Sequence, residues 1–513
     1  MTWDPKAKQG AESEKIKWEL VPYTRGLGLD VGCGPTKPFQ HFTGVDNQHH
    51  QVFGHEIRCD VIAEAHDLSR FASQSHDFVF SSHLLEHIED YKTVLREWWR
   101  VIKIGGHLCL YLPHKEYYPK RGTTGANPDH KHDFLPEDII AAMQEVAKGW
   151  DLIENQERNE GTEYSFFQVY RKMAGDKNRF SWTNPRPAKT AGVVRYGAFG
   201  DLMQAASVCA QLKREGYHVT LHASPPGVDV VKFDPNIDRI VLQDKDQVPN
   251  LELGSYWKAW EKKYDKWVNL CETVETTWLA SSGSSMYRFP LSVRQKYLNG
   301  NYVEYQHEVA EIPYKLDVRF FPSAEEKDWA KKARSKMARY VILWSLAGSS
   351  VHKTWPYLDA IIARLMLTYR DVDVVLCGGP ECAILEAGWE KEKRVHLTCG
   401  KWGIRQSLAF LYEADMVVGP ETGVLNAACT MSLPKVCMLS HSSVENLTRD
   451  WVNTVSVFSR KTKCYPCHQL HIGWKDCPKH EETGTAKCQA DIGEDQVWEP
   501  MKQIIDEAML RAA

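Results

Sequence analysis

Apolar runs punctuated by glycine turns alternate with amphipathic stretches along most of this chain. In the first third, GLGLDV, TGVD, HDFVFSS and HLCLYLP have the length and apolar content of short buried strands. EDYKTVLREWWRVIK and PEDIIAAMQEVAKG repeat their apolar positions at helical spacing, and YSFFQVYRK, with DLIEN beside it, predicts a last strand. The pattern then stops. From Ala174 to Thr190 the sequence AGDKNRFSWTNPRPAKT breaks every apolar period with charges, Asn-Pro and Pro-Arg-Pro, which predicts a partly stiff exposed linker.

A second strand, glycine turn and helix begin directly after it, in AGVVRYGAFGDLMQAASVCAQL. GVVRY, HVTLHA, RIVLQ and KWVNL predict one set of strands, and YVILWSLA, DVDVVLCGG, RVHLTCG, DMVVGP and KVCML a second. Helices such as YLDAIIARLMLTY and IRQSLAFLYEA lie between them, while Gln243 to Phe320 carries little pattern. The expectation is an α/β protein: a Rossmann-like domain over residues 1–173, a linker over 174–190, and two Rossmann-like lobes over 191–330 and 331–513 facing a cleft. EDQVWEPMKQIIDEAMLRA predicts a long terminal helix.

Length agrees, since 513 residues exceed what one core supports. With 43% hydrophobic and 25% charged residues the composition is that of a globular protein. A net charge of -4 provides no global basic field for gripping nucleic acid. The first residues, MTWDPKAKQGAESEK, lack a signal-peptide core, and no apolar run is long enough to span a bilayer, so a cytoplasmic protein, at most peripheral to the inner membrane face, is expected.

Ligands of such sheets sit at the carboxyl ends of the strands. Asp30 ends the first strand there, Gly32 and Gly34 let the backbone pass close to a cofactor, and Asp46 ends the second strand with a carboxylate suited to ribose hydroxyls. GLDVGCGP, GVD, DFVFSSHLLEHIED and RVIKIGGHLCLYLP, in this order, resemble the successive motifs of class I S-adenosylmethionine-dependent methyltransferases of the type 11 kind, over about 150 residues. The resemblance implies S-adenosyl-L-methionine as cofactor, with Asp30, Gly32 and Gly34 along its methionine part, Asp46 on the ribose, Glu64 near the adenine, and Ser81 and Ser82 beside the sulfonium.

Methyl transfer to a hydroxyl also needs a proton acceptor. The candidates are His83, Glu86 and His87 in SSHLLEH, His114, and Asp129, His130, His132 and Asp133 in NPDHKHD. Glu86 and His87 read as structural, which leaves His114 and His130. The NPDHKHD loop reads equally as a divalent-metal binder or as a solvated polar loop.

In the second half, VVRYGAFGDLMQAASVCAQLK, LWSLAGSSVHKTWP, CGGPE and TCGKWGIRQSLAFLYEADMVVGPETGVLNAA resemble glycosyltransferase family 9, the ADP-heptose:lipopolysaccharide heptosyltransferases. That resemblance implies an inverting GT-B enzyme with the acceptor on the first lobe, a nucleotide-diphosphate sugar on the second, and a terminal helix crossing back to the first lobe. Asp201 takes the place of the general base, its bland alternative being a carboxylate that merely favours a helix dipole. Lys353 in HKTWP faces phosphate, or is a surface lysine; Glu421, Thr422 and Gly423 open a helix suited to a diphosphate. The chain departs from the family in having Glu421 for Asp and Asn426 for His, which puts the sugar in question.

Fourteen cysteines are present, most of them singly inside apolar elements. Cys464, Cys467, Cys477 and Cys488 cluster, and either hold a structural zinc or remain thiols. Together these readings describe a bifunctional enzyme that glycosylates and O-methylates a glycan or glycolipid, in a surface polysaccharide or lipopolysaccharide. The alternatives are a phage-type modification of nucleic-acid bases by sugar and methyl, and a scaffold that keeps both folds without chemistry.

Overall fold

The computed structural model describes residues 12–52, 55–185, 187–244, 247–271, 273–274, 279–281, 284–348, 351–471 and 477–511. It divides into two compact units, Met1–Ala188 with Gln243–Lys263, and Lys189–Leu242 with Tyr264–Ala513.

The first unit opens with helix α1 (Glu12–Leu20) and is built on a seven-stranded sheet. Its strands are β1 (Gly28–Val31), β2 (Phe42–Asp46), β3 (Val61–Ile62), β4 (His76–Ser82), β5 (Ile102–Pro113), β6 (Trp150–Arg158) and β7 (Ser165–Lys172), ordered β3-β2-β1-β4-β5-β7-β6. The first five run parallel and the β7–β6 pair is antiparallel at the edge. The chain therefore leaves β1 and β4 in opposite directions, which opens a crevice over their carboxyl ends.

Helix α2 (Tyr91–Val101) begins where the Asp90 carboxylate accepts from the Thr93 N–H at 3.1 Å. It buries Val94, Leu95 and Trp98 on the sheet, and the Trp98 indole finds the Ala65 carbonyl at 2.9 Å. Helix α3 (Pro136–Val146) packs beside it.

Two segments depart from the expected boundaries. Within the anticipated linker, Arg179 exchanges backbone hydrogen bonds with Trp150 and Leu152 at 2.8 and 3.0 Å, and Phe180 packs edge-on against Trp150 at 5.2 Å. Ser181 donates its N–H and hydroxyl to the Asp151 carboxylate at 3.1 and 3.0 Å, so residues 179–181 extend the sheet edge before the chain leaves the unit. The second segment is Gln243–Lys263, which joins the first unit through the helix Leu253–Glu261. Tyr256 is buried with its ring 6.0 Å from Trp18, the Trp260 indole donates to the Trp18 carbonyl at 3.1 Å, and Lys17 pairs with Glu252 at 2.8 Å.

In the second unit the first lobe has strands β8 (Thr190–Val194), β9 (His218–Ala223), β10 (Arg239–Leu242) and β11 (Lys266–Asn269), all parallel in the order β10-β9-β8-β11. Helix α4 (Phe199–Arg214) follows β8, and α5 (Tyr302–Val309) packs on it. After α6 (Ala324–Arg334), the second lobe forms a six-stranded parallel sheet. It comprises β12 (Tyr340–Ser345), β13 (Val372–Cys377), β14 (Val395–Leu397), β15 (Met416–Pro420), β16 (Lys435–Met438) and β17 (Thr454–Val457), ordered β14-β13-β12-β15-β16-β17. Helices α7 (Leu358–Thr368), α8 (Ile404–Phe410) and α9 (Gly423–Ala428) complete it, and one apolar core continues from the first sheet through α4 and α9 to the second. This is a GT-B arrangement.

The terminal helix α10 (Glu494–Arg511) corrects one expectation. Its buried face, Val497, Trp498, Met501 and Ile505, enters the second lobe's own core against α7, β16 and β17, rather than crossing to the first lobe. Tyr369, just past the end of α7, and Arg364 on it fix it there through Asp506 at 2.7 Å and Glu494 at 2.9 Å.

Candidate active sites

At the carboxyl ends of β1 and β4 the first unit gathers polar groups that lack partners. Asp30 is 2% exposed and its Oδ2 accepts no hydrogen bond; Ser82 Oγ is likewise buried without one. Such orphans are rare in folded proteins and point to a ligand. Burial raises the Asp30 carboxyl from 3.8 to about 8, Lys37 pulling it down and Asp46 pushing it further up.

Gly32 turns with φ +75°, and a Cβ there would lie 2.7 Å from Leu84 Cδ2, so the backbone lies open toward the crevice only with glycine. Asp46 accepts from the N–H groups of Gly34 at 3.0 Å and Asn47 at 2.8 Å, so the carboxylate that closes β2 also shapes the glycine turn. These residues fit a nucleoside cofactor with a cationic amino-acid end. Two expected contacts fit less well. Ser81 points inward and donates to the Val31 carbonyl at 2.8 Å, stitching β4 to β1, and Glu64 is exposed on the loop after β3.

Beyond Ser82, His83 adopts φ +50°, an uncommon conformation for histidine that turns the chain sharply at the strand end. The turn brings His83, Glu86 and His87 beside His130. Tyr118 stacks on His130 at 5.1 Å, and Tyr164 packs on both Tyr118 and His83. Nothing in the sequence marked this aromatic wall, because its members come from three separated loops.

Burial lowers His83 to about 3 and His130 to about 4, so both rings are neutral near pH 7. His114 is different: the Glu116 N–H donates to its Nδ1 at 3.1 Å, which places the ring proton on Nε2. In that tautomer its outer nitrogen is a donor, and it cannot accept an acceptor's proton. Of the remaining NPDHKHD groups, His132 bonds the Glu89 carbonyl at 3.1 Å and Asp133 accepts from the Arg121 N–H, which ties them into the loop.

The second unit holds a cavity of about 690 Å³ lined by both of its lobes. From the first lobe, Asp201 caps the start of α4, with Oδ2 accepting from the Ala198 N–H at 2.8 Å and Oδ1 paired with buried Arg195 at 2.7 Å. From the second, Lys353 faces the cavity with no hydrogen bond or ion pair among the described residues. Burial pushes its ammonium below the usual lysine range, against the pull of Glu421 and Asp201. A half-buried cation with no bonded counter-charge among the described residues is the complement of an anionic ligand.

Glycines at the starts of α4 and α9 let the two helices approach closely. A Cβ on Gly423 would meet Phe199 Cβ at 3.0 Å, and Gln204 reaches Asn426 across the gap at 3.2 Å. Asn426 also donates to the Thr422 carbonyl at 3.0 Å. Thr422 caps α9 and lies 3.1 Å from the Ser345 hydroxyl. Glu421 is committed to the loop after β16, accepting from Ser442 Oγ at 2.9 Å, from the Ser440 N–H, and lying 3.2 Å from His441 Nδ1. It therefore orders that loop, and only the start of α9 is left to face a ligand. Gly378, Gly379 and Trp402, which only the CGGPE and TCGKWG strings hinted at, complete the second-lobe wall.

The four clustered cysteines are free thiols, and burial raises Cys467 to about 12 and Cys477 to about 11. They influence one another electrostatically, yet no three of their sulfurs meet within 4.8 Å among the described residues. Cys477 instead meets His352 and His471 at that range.

Polar groups gather at the strand ends of the parallel sheet in the first unit, and at a cleft between two lobes in the second. The chain is an enzyme with a methyltransferase domain and a glycosyltransferase family 9 domain. Residues 29–110 match the family described as methyltransferase domain, and residues 281–472 match glycosyltransferase family 9 (heptosyltransferase).

Among solved structures, a glycosyltransferase family 9 protein from Veillonella parvula is 15% identical, covering 63% of this chain and 99% of its own, with a TM-score of 0.47. The E. coli ADP-heptose lps heptosyltransferase II is also 15% identical, covering 62% of this chain and 99% of its own, with a TM-score of 0.45. A SAM-dependent methyltransferase from Archaeoglobus fulgidus is 16% identical over 31% of this chain and 94% of its own, with a TM-score of 0.24. No curated protein matches the chain.

Proposed function

We propose that this enzyme builds and methylates a glycan: a glycosyl group passes from a nucleotide-diphosphate sugar to an acceptor hydroxyl in the second unit, and a sugar hydroxyl is O-methylated in the first. The observation that carries the first reaction is the single cavity onto which both Asp201 and Lys353 open. The acceptor oxygen forms its bond to the anomeric carbon as the bond to the diphosphate breaks, and the acceptor proton passes to Asp201. Arg195 and the Ala198 N–H occupy one lone pair on each carboxylate oxygen and orient the base. Lys353 meets the leaving diphosphate, with the Thr422 and Gly423 turn beside it. The displaced face inverts.

Methyl transfer is supported by the orphaned Asp30 and Ser82 groups and the open Gly32 turn. S-adenosylmethionine, when bound, supplies an electrophilic methyl on a sulfonium. Asp30 offers a carboxylate to the cofactor's cationic end, and Asp46 lies at the β2 end where the ribose belongs. His83 and His130, both neutral, stand at the acceptor end, and one of the two accepts the hydroxyl proton, a role His114's tautomer denies it.

Family likeness favours a surface polysaccharide or lipopolysaccharide acceptor and a heptose-like donor. Asn426 in place of the family's histidine leaves room for a different sugar. No helix among the described residues is long and apolar enough to cross a membrane. The test is mass spectrometry of surface glycan and DNA nucleosides from cells carrying the intact gene, Asp30→Ala or Asp201→Ala. A glycan that loses a methyl in one and a sugar in the other supports the proposal. Altered nucleosides with an unchanged glycan refute the acceptor class.

A further inference from the structure

The cluster beyond β4 contains a group that the two transfer reactions leave unexplained. Glu86 is 0% exposed, and among the described residues neither of its carboxylate oxygens has a side-chain or main-chain partner from another residue. Three imidazoles stand around it, with His83 Nδ1 at 3.7 Å, and His87 Nε2 and His130 Nε2 each at 3.9 Å from Oε1. Those separations are too long for hydrogen bonds. The ligand atoms of Glu86, His87 and His130 nevertheless lie within 4.8 Å of one another. Two nitrogens and a carboxylate converge where Glu86 and His130 are buried, and at 3.9 Å no hydrogen bond from either ring to the carboxylate holds them there.

The local fold is built to hold this arrangement. The Glu86 carbonyl accepts the N–H groups of both Lys131 and His132, at 2.6 and 3.1 Å, so the main chain of one ligand anchors the loop that carries another. The His87 and His130 rings meet edge to face at 4.7 Å. Around a tetrahedral ion with bonds of about 2.1 Å, neighbouring ligand atoms stand roughly 3.4 Å apart. The 3.9 Å separations here close to that with side-chain shifts of a few tenths of an ångström.

We propose that Glu86, His87 and His130 bind a divalent transition-metal ion through one carboxylate oxygen and two imidazole nitrogens. The ion supplies the counter-charge that the buried carboxylate lacks, and the donor set suits zinc, iron(II), manganese or cobalt rather than magnesium or calcium. Three protein ligands leave positions open on the ion. With His87 and His130 engaged on it, His83, whose Nε2 shares a hydrogen bond with Ser165 Oγ at 2.9 Å, is the imidazole that remains for an acceptor's proton, a division of labour that rests on the methyl-transfer reading, whereas the ion itself does not.

The test uses the full chain, stripped with chelator and titrated with cobalt(II), with no cofactor or acceptor present. The expected result is one equivalent bound with visible ligand-field bands and without the intense near-ultraviolet absorption of a thiolate ligand, which separates this site from the cysteines. Glu86→Gln, close to isosteric, and His130→Ala each lower the affinity of that equivalent at least roughly tenfold. Circular dichroism and the metal-free melting temperature verify that both variants fold. Equal uptake with an unchanged spectrum in the wild type and both folded variants, or cobalt bound through thiolate alone, overturns the proposal. Methyl transfer is not the readout, so failure of the O-methylation reading leaves this result standing.

Discussion

Asp30 offers a quantitative test of the cofactor site. Its carboxyl is raised to about 8 chiefly by burial, so at pH 7 it is roughly nine-tenths protonated in the free protein. A ligand whose amino-acid end carries a sulfonium and an ammonium supplies the charge that burial withholds, and binding draws out the ionised form. Association at pH 7 should therefore release about 0.9 proton, and at pH 9 about 0.1. Isothermal titration calorimetry in phosphate and in Tris reads this directly, because the difference in apparent enthalpy scales with the protons transferred to buffer.

Affinity should fall about tenfold per unit as pH drops from 8 to 6. Asp30→Asn should bind more weakly, with no proton release and a flat profile. The same shift acts on folding with a definite sign. Between 3.8 and about 8 the folded state holds a proton that the unfolded chain has lost, so this contribution is complete below 3.8 and disappears as pH rises through about 8. From pH 5 to 8 the first unit should lose up to about 4 kcal/mol on this account, and Asp30→Asn should remove that part of the slope. Glu86, also raised to about 8, adds a similar slope that the Asp30 variant retains. Buffer-independent enthalpies together with a pH-independent wild-type affinity would refute the reasoning.

Lys353→Met should weaken binding of a nucleoside diphosphate by about 10- to 100-fold, roughly 1.4–3 kcal/mol, in a calorimetric titration, without lowering the melting temperature, since the lysine makes no hydrogen bond or ion pair among the described residues. Asp201→Asn should reduce sugar transfer by at least about 100-fold in a steady-state assay while leaving donor affinity within about threefold; a large loss of donor affinity would remove Asp201 from the base role. Gly32→Ala combines a left-handed φ with a 2.7 Å approach to Leu84, so it should cost about 1–3 kcal/mol in a thermal-shift measurement and abolish cofactor binding without affecting sugar transfer.

The alternation of apolar strands and amphipathic helices sufficed to read two α/β assemblies from the chain, because each buried parallel strand requires a continuous apolar run and each crossover helix an apolar stripe. The positions of Asp30, Gly32, Asp46, Asp201 and Lys353 at strand ends and turns were legible for a related reason: strand ends and glycine turns are local. Other features depended on partners far away in sequence. Residues 243–263 showed no clear pattern because their apolar face meets Trp18 on α1. The terminal helix has an apolar stripe that fits either lobe equally well on paper, and only the packing of Trp498 and Met501 against α7 and β16 determined which.

The same division holds within the sites. Sequence named His114, His130, Glu86 and Glu421 as polar residues in suggestive motifs. It could not show that a backbone N–H sets the tautomer of His114, that the serines after β16 claim Glu421, or that Glu86 is left without a partner between two imidazoles. By itself the sequence determined the architecture and which polar residues stand at the strand ends, since both follow from periodicity and neighbours a few residues apart. Protonation state, ligand geometry and the choice of packing partner belonged to the tertiary structure, because each is decided by which distant groups exclude water and which donors remain unpaired once the chain has closed around them.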